Sequence, residues 1–395
     1  MIDPAKSRAL LHVCVLLFVV WSGEAQTLNT AKPEVPVKTK QGLAREIMAV
    51  DRQFAAEYDK EHTAGVTIGI VSGPELVWAK NYGFADIENE KQATTNTVYR
   101  IGSITKQFTA LMLLQLVEQG KVHLSDPVEK FFPEVNRISG RYPGSPPITL
   151  IQLATHRAGL SEEPDDVGKF STGSVSQWEQ QLIAALPKLR FEQEPDTHFI
   201  YSNIGYAILG AALSRAARQR YTDYVQEHIL APLGMWHTRF EPDGQMTSVI
   251  AKGYVLHDGA VDSKQALEEL KNGRGYKVPN GALFTTLSDM ARFVSFELGY
   301  GPEKVLSKKV LQESQSQMFW AEEDGATGYG LGLMFVRNGD TVGLGHGGLV
   351  AGYLAGEYFD PSSHLGIIFL RNVQGHGFEP HFIVGLLGEL KTSSH

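Results

Sequence analysis

The stretch VYRIGSITKQFTALMLLQLVEQG, residues 98–120, sets the architecture of this chain. From residue 104 to residue 119 it is apolar nearly all round, and Gly120 follows as a helix stop. A helix with no polar face belongs at the centre of a domain, not on its surface. Yet this one opens with Ser103 and Lys106 in the order S-x-x-K, the one such match in the sequence. Residues three apart share a helix face, so the amine can reach the hydroxyl. The helix N-terminus favours a developing alkoxide and disfavours an ammonium. A serine hydroxyl is a weak nucleophile and needs an adjacent base of this kind. The spacing also fits a serine cap followed by a surface lysine, and about one match arises by chance in a chain of 395 residues.

On the N-terminal side, GVTIGIVSGPELVWAKNYGFAD (residues 65–86) reads as two strands around a Gly73-Pro74 turn. Before it, Leu43, Ile47, Val50, Phe54 and Tyr58 fall at helical spacing. Residues 121–275 read as mainly helical, the clearest helices being ITLIQLATH, SVSQWEQQLIAALPKL, GYAILGAALSRAARQR and DYVQEHILAPLGM. Residues 160–175, rich in acid and glycine, read as a loop; this loop and residues 255–280 are expected to line the cleft. LFTTLSDMARFVSFEL predicts a helix capped by Thr286 or Ser288. YGLGLMFVR, an Asn338-Gly339 turn, TVGLGH, VAGYLAGEYFD and HLGIIFLRN then return to sheet, and FIVGLLGELK predicts a covering helix. The order sheet, helices, sheet predicts one α/β domain from residues 43–105 and 276–395, with a helical domain over 106–275 inserted.

The composition is that of a globular chain, 43% hydrophobic and 20% charged, which excludes disorder. A net charge of −8 argues against a nucleic-acid partner. At the start, Lys6 and Arg8 precede an apolar run over residues 9–21, and Gly23-Glu24-Ala25 is a small-x-small site before Gln26. This predicts a signal peptide over 1–25, an exposed arm over 26–42, and an exported protein with no stable membrane insertion after cleavage. The sole cysteine, Cys14, would leave with the signal, so no disulfide framework or thiol nucleophile is expected.

Two further motifs bear chemistry. Tyr201-Ser202-Asn203 sits at the start of a helix; the phenol could shuttle a proton if a nearby ammonium lowers its pKa, and the amide could hold the lysine or a substrate carbonyl. The same residues would also serve as a core tyrosine and a helix cap. His346-Gly347-Gly348 lies between predicted strands in GLGHGGLVAGY. Glycines there let a substrate lie against a strand edge. The N–H of Leu349 with that of Ser103 could form an oxyanion hole, and His346 could donate to a substrate carboxylate or carbonyl. Gly343, Gly345 and Gly348 also spell G-x-G-x-x-G, but a strand follows where a dinucleotide site needs a helix. There is no G-x-S-x-G, H-E-x-x-H or Walker A sequence, and no cofactor or metal is called for. His376 and His381 read as surface residues, and Glu162, Glu163, Asp165 and Asp166 as a solvated run.

The motifs S-x-x-K, Y-x-N and H-x-G in this order resemble the serine β-lactamase and penicillin-binding-protein-like hydrolases. The branch is that of class C β-lactamases, D,D-carboxypeptidases, D-aminopeptidases and family VIII carboxylesterases. VYRIGSITKQFTALMLLQLVEQGKVHLSDPV, ITLIQLATHRAGL, YSNIGYAILG, LAPLGM, FTTLSDMARF, YGLGL and GHGGLVAGY are similar to recurrent stretches of that family, in its order, over residues 43–390. The resemblance implies an α/β (α+β) β-lactamase-like fold, an antiparallel sheet flanked by helices with a helical domain inserted. It implies Ser103 as acyl-enzyme nucleophile, Lys106 and Tyr201 as the proton-transfer pair, and Asn203 as orienter of Lys106 or of a substrate amide. His346 stands where most class C β-lactamases carry a lysine, and a histidine is only partly charged near neutral pH. That favours carboxylic esters as substrates, or D-amino-acid peptides, over β-lactams. Glu162 and Glu163 lie outside any motif of the family and receive no catalytic role.

Overall fold

The computed structural model describes residues 41–60, 64–257, 260–320, 325–375 and 377–391. The expected signal peptide, the arm up to residue 40, Cys14 and His376 lie outside them.

Helix α1 (Gln41–Asp59) precedes the hairpin of β1 (Val66–Ser72) and β2 (Glu75–Tyr82). Gly73 closes that hairpin in the left-handed region at φ +57°, which glycine adopts without a Cβ penalty. The all-round apolar stretch forms α2 (Thr105–Glu118), and Gly120 follows at φ +67°. Helix α3 is Asn203–Ala217, α4 Lys264–Asn272 and α5 Leu287–Ser295, the last capped by Thr286, whose side chain accepts from Asp289 N. Then come β3 (Met318–Trp320), β4 (Thr327–Gly330), β5 (Met334–Asn338), β6 (Thr341–Val350), β7 (Tyr353–Asp360) and β8 (Leu365–Arg371). Helix α6 (Pro380–Lys391) follows.

These eight strands make one sheet in the order β2-β1-β8-β7-β6-β5-β4-β3, and the pairs along it are antiparallel. Strands from the two ends of the chain therefore meet at β1 and β8, with Val66 opposite Arg371 and Ser72 opposite Leu365. Both faces of the sheet are covered. In β8, Ile367 and Phe369 pack with α1 and α6, while Ile368 and Leu370 pack with the helical side. This period-two division sets the helix–sheet–helix layering.

Helix α2 lies in the larger core. Phe108 stacks on Phe293 of α5 with ring centroids 4.6 Å apart. Burying such a side chain fully stabilises the fold by roughly 1.5–3 kcal/mol. Polar residues of α2 are buried with partners: Thr109 Oγ1 donates to Pro279 O at 2.6 Å, and Gln115 Nε2 to Val305 O at 2.6 Å. That satisfaction is what permits polar groups in the centre.

Two local expectations are corrected. The HGG motif does not lie between strands: β6 runs through it without a break, because β7 pairs with His346, Gly347 and Gly348, while the pairing with β5 ends at Gly345. Nor are residues 255–280 a plain loop. They contain the end of strand Tyr254–His257, the strand Ala260–Asp262 and α4. Tyr254–His257 pairs with Val373–Gln374, a partner too distant in sequence to leave a local signal.

Candidate active site

Ser103 lies in a short helical turn, Gly102–Ile104, that leads directly into α2. Lys106, one turn on, is fully buried. Its Nζ has three oxygen neighbours: Ser103 Oγ at 3.0 Å, Asn203 Oδ1 at 2.7 Å and the Asn280 carbonyl at 3.2 Å. Burial pushes the Lys106 amine well below its ordinary value, with Arg274 and Lys277 adding to that push and Glu163 and Glu162 opposing it. A neutral amine has two hydrogens and one lone pair. The Asn203 and Asn280 oxygens can only accept, so they take the two hydrogens. Losing the proton now shared with Ser103 Oγ would turn the lone pair of the amine to that hydroxyl.

Asn203 is the first residue of α3, whose cap is the Ser202 side chain accepting from Gly205 N at 3.1 Å. With Oδ1 on Lys106, its Nδ2 donates to Glu163 Oε1 at 3.0 Å and Glu162 Oε1 at 3.3 Å. The amide orientation is thus fixed from both ends. Its own carbonyl accepts from Asn280 Nδ2 at 2.8 Å.

Tyr201 presents its ring to Lys106 Nζ, 4.7 Å from the centroid, and its hydroxyl is hydrogen-bonded to the Ser103 side chain. The expectation of a lowered tyrosine pKa is not met. Burial raises it, and the hydrogen bond with Ser103 offsets only part of that rise. Tyr201 is therefore held as a neutral phenol against Ser103.

Strand β6 crosses the mouth of the Ser103 turn at close range. A Cβ at Gly348 would overlap the Ile101 carbonyl oxygen and lie 3.2 Å from Ser103 N. A Cβ at Gly102 would lie 2.8 Å from Leu349 N. Glycine at both positions brings the Ser103 and Leu349 amides side by side, the arrangement an oxyanion needs. Gly347 and the half-exposed Leu349 line the cleft.

His346 departs from its expected role. It is 2% exposed, and both ring nitrogens are engaged. Nδ1 donates to the Gly347 carbonyl, so Nε2 is the acceptor and takes the Tyr329 hydroxyl at 2.9 Å. Burial lowers its pKa to about 3, with Lys106 adding to the shift. It is a neutral imidazole that props β6 against Tyr329 and has no proton to offer a substrate.

Several residues at the site were not singled out in the sequence. Asn280, Tyr276, Lys277 and Arg274 come from one segment of two short helical turns, Gly275–Lys277 and Val278–Gly281, with no motif. Tyr329 forms, with His156, Tyr201 and Tyr206, an aromatic wall behind the lysine. Glu162 and Glu163 are not merely solvated. The Glu162 carbonyl accepts from Asn203 N at 3.0 Å, and Glu163 receives Lys277 Nζ at 2.7 Å and the Tyr276 hydroxyl. Only a folded chain puts these beside α3.

Two cavities open on Ser103. One, of about 520 Å³, has an apolar wall including Met334, Leu354, Tyr358, Phe369 and Phe378. The other, of about 220 Å³, is lined by Glu269, Arg274, Lys277, Asn280 and Leu349 among others. Among the described residues no group of three or more His, Cys, Asp or Glu could hold a metal ion.

Comparison with known proteins agrees with this geometry. The beta-lactamase family model matches residues 49–383. The chain is 36% identical over 267 residues to Beta-lactamase-like protein 2 of Dictyostelium discoideum, covering 66% of this chain and 47% of that protein. It is 28% identical over 330 residues to Protein flp of Staphylococcus aureus strain MW2, covering 82% of this chain and 62% of that protein. The chain thus spans between about half and three fifths of these curated relatives. The octameric penicillin-binding protein homologue from Pyrococcus abyssi superposes with a TM-score of 0.71 at 26% identity, over 88% of this chain and 79% of that one. A class C beta-lactamase superposes with a TM-score of 0.72 at 20% identity, over 91% of this chain and 99% of that one, a likeness of fold. By sequence along most of its length and by fold, this chain belongs to the β-lactamase family of serine β-lactamase-like and penicillin-binding-protein-like hydrolases.

Proposed function

We propose that the chain is an exported serine hydrolase that cleaves carboxylic esters through an acyl-enzyme on Ser103. The observation that carries this reading is the setting of Lys106: its Nζ lies 3.0 Å from Ser103 Oγ, the Asn203 and Asn280 oxygens accept from it, and burial pushes its pKa well down. Such an amine is a base in its resting state. Ser103 Oγ attacks the ester carbonyl carbon while its proton passes to Lys106 Nζ. The oxyanion forms between the Ser103 and Leu349 amides. The bond to the leaving oxygen then breaks, Tyr201 gives that oxygen a proton, and Lys106 restores the proton to Tyr201. Water then attacks the acyl carbon, its proton passing to the same pair; the bond from that carbon to Ser103 Oγ breaks, the pair returns the proton to Oγ, and the carboxylic acid leaves.

Esters are favoured over β-lactams because the central strand carries a neutral His346, not a cation, and the larger cavity has an apolar wall. A D-amino-acid peptidase is the second reading, supported by the carboxylates of Glu162 and Glu163 beside Asn203. Export rests on the signal-like residues 1–25. The test is intact mass after a fluorophosphonate probe, on wild type and Ser103→Ala. One adduct in wild type and none in the variant is expected, together with a burst on an activated ester. Equal labelling of both would refute the assignment.

A further inference from the structure

The third-motif histidine is neutral, yet the site holds positive charge elsewhere. Among the described residues lining the two cavities at Ser103, the cations are Arg274 and Lys277, both on the smaller cavity. Lys277 is matched by Glu163 at 2.7 Å. Arg274 is not matched in this way. Its Nη1 donates to Glu269 Oε1, and Arg100 Nη2 donates to that same oxygen at 2.8 Å. Two guanidiniums thus share one carboxylate, leaving one positive charge over within this cluster of three. Arg100 is 2% exposed, lies between the rings of Phe284 and Tyr353, and has Nε and Nη1 without partners. Arg274 Nε is also buried without a partner. Burial and the Arg100 charge pull the Arg274 guanidinium below its ordinary value, with Glu163 opposing in part, so an anion placed there would relieve a like-charge contact.

The location is specific. A Cβ at Gly281 would meet Arg274 Nη2 at 2.9 Å and the Gly102 carbonyl carbon at 3.8 Å. The guanidinium therefore stands beside the backbone that leads into Ser103. Arg274 and Glu269 line both the cavity at Ser103 and a neighbouring cavity of about 200 Å³ that holds Arg100. A single surplus charge suits a monoanion, and a guanidinium fork suits a planar carboxylate.

We propose that Arg274 receives a carboxylate of the substrate in the cavity beside Ser103, making carboxylate-bearing esters the preferred substrate class. The proposal rests on the ester-hydrolase reading for turnover, but not for binding.

The test uses two matched ester pairs on the full chain. Para-nitrophenyl hydrogen glutarate against para-nitrophenyl valerate places the charge on the acyl side. Meta-carboxyphenyl acetate against phenyl acetate places it on the leaving side. In one pair the anionic ester should have the higher kcat/KM by about tenfold, and added salt should shrink that ratio. Arg274→Gln should abolish the ratio, and Arg274→Lys, which keeps the charge and guards against a folding failure of the first variant, should retain part of it. Ser103→Ala, which cannot turn over, should still bind the anionic ester of the preferred pair more tightly than its neutral counterpart by calorimetry. No anionic preference in either pair, or one that survives in a folded Arg274→Gln protein, overturns the proposal. A missing fluorophosphonate adduct in wild type would instead remove the hydrolase reading, with the calorimetric preference still deciding the role of Arg274.

Discussion

Lys106 Nζ and Asn203 Oδ1 lie 2.7 Å apart, joining the first residues of α2 and α3 inside the core. The contact uses an acceptor that cannot protonate, so it holds the amine in place without drawing a proton onto it. Asn203→Asp would replace that oxygen with a carboxylate beside a buried amine, which favours the ammonium. In the proposed mechanism Lys106 works as the neutral base, so activity falls as pH drops through its depressed pKa. The substitution should lower kcat/KM at neutral pH on the order of 10² and move the acid limb of the pH profile upward. An unmoved acid limb would remove Lys106 from the role of base.

His346 should not titrate in the range where free histidines do. Its neutral form is fixed by Gly347 and Tyr329, and burial takes its pKa to about 3. The ring C–H resonances of His346, assigned with a His346→Gln variant, should stay constant between about pH 5 and 8. A titration step there would restore a charged, substrate-facing histidine.

Glu297 should make the fold less stable as pH rises. It is buried, accepts from Gln315 Nε2 at 2.9 Å, and burial raises its pKa from 4.5 to about 7. The folded state thus binds the proton more tightly than the unfolded chain. The stabilisation is complete below the unfolded value of 4.5 and declines until pH passes about 7. Each tenfold gain in proton affinity is worth about 1.4 kcal/mol, so the loss is about 3 kcal/mol over that window. Glu357, also buried with a raised pKa, acts in the same direction. Urea midpoints measured across this range should fall, and Glu297→Gln should flatten part of the slope. An equal slope in the variant would contradict the assignment.

Gly348→Ala should impair chemistry more than folding of the sheet. The added methyl meets the Ile101 carbonyl and the Ser103 amide, forcing β6 away from the nucleophile turn. Loss of one well-placed oxyanion donor costs about 10²–10³ in kcat. The expected result is that loss with an unchanged far-UV spectrum. Full activity in the variant would show that the two amides do not share an oxyanion.

Much of the architecture is legible because local pattern and environment agree. The absence of a polar face on residues 104–119 already requires a buried helix, and the Gly73-Pro74 and Asn338-Gly339 turns divide the chain into antiparallel hairpins. The strand Tyr254–His257 is less legible, since its partner is remote and its pattern is too short to carry a period. The same contrast holds at the site. Ser103 and Lys106 are related by helix geometry, which the spacing states outright. Asn280 and Arg274 reach the same few ångströms from a segment without a periodic pattern, and no spacing rule connects them to Ser103.

The buried helix, the hairpins, the three motifs and the family they resemble can all be read from the order of residues, because each depends on neighbours close together along the chain. Protonation and charge balance arise only once the chain has folded. The Lys106 pKa is depressed because the core removes water from the amine, while two distant carbonyls accept its hydrogens. His346 is neutral because Tyr329 and its own strand use both nitrogens, and Arg274 keeps a surplus charge because Arg100 claims the same oxygen of Glu269. Desolvation and hydrogen-bond partnership are properties of an enclosed volume, and the volume exists only after the two ends of the chain have closed around the helices.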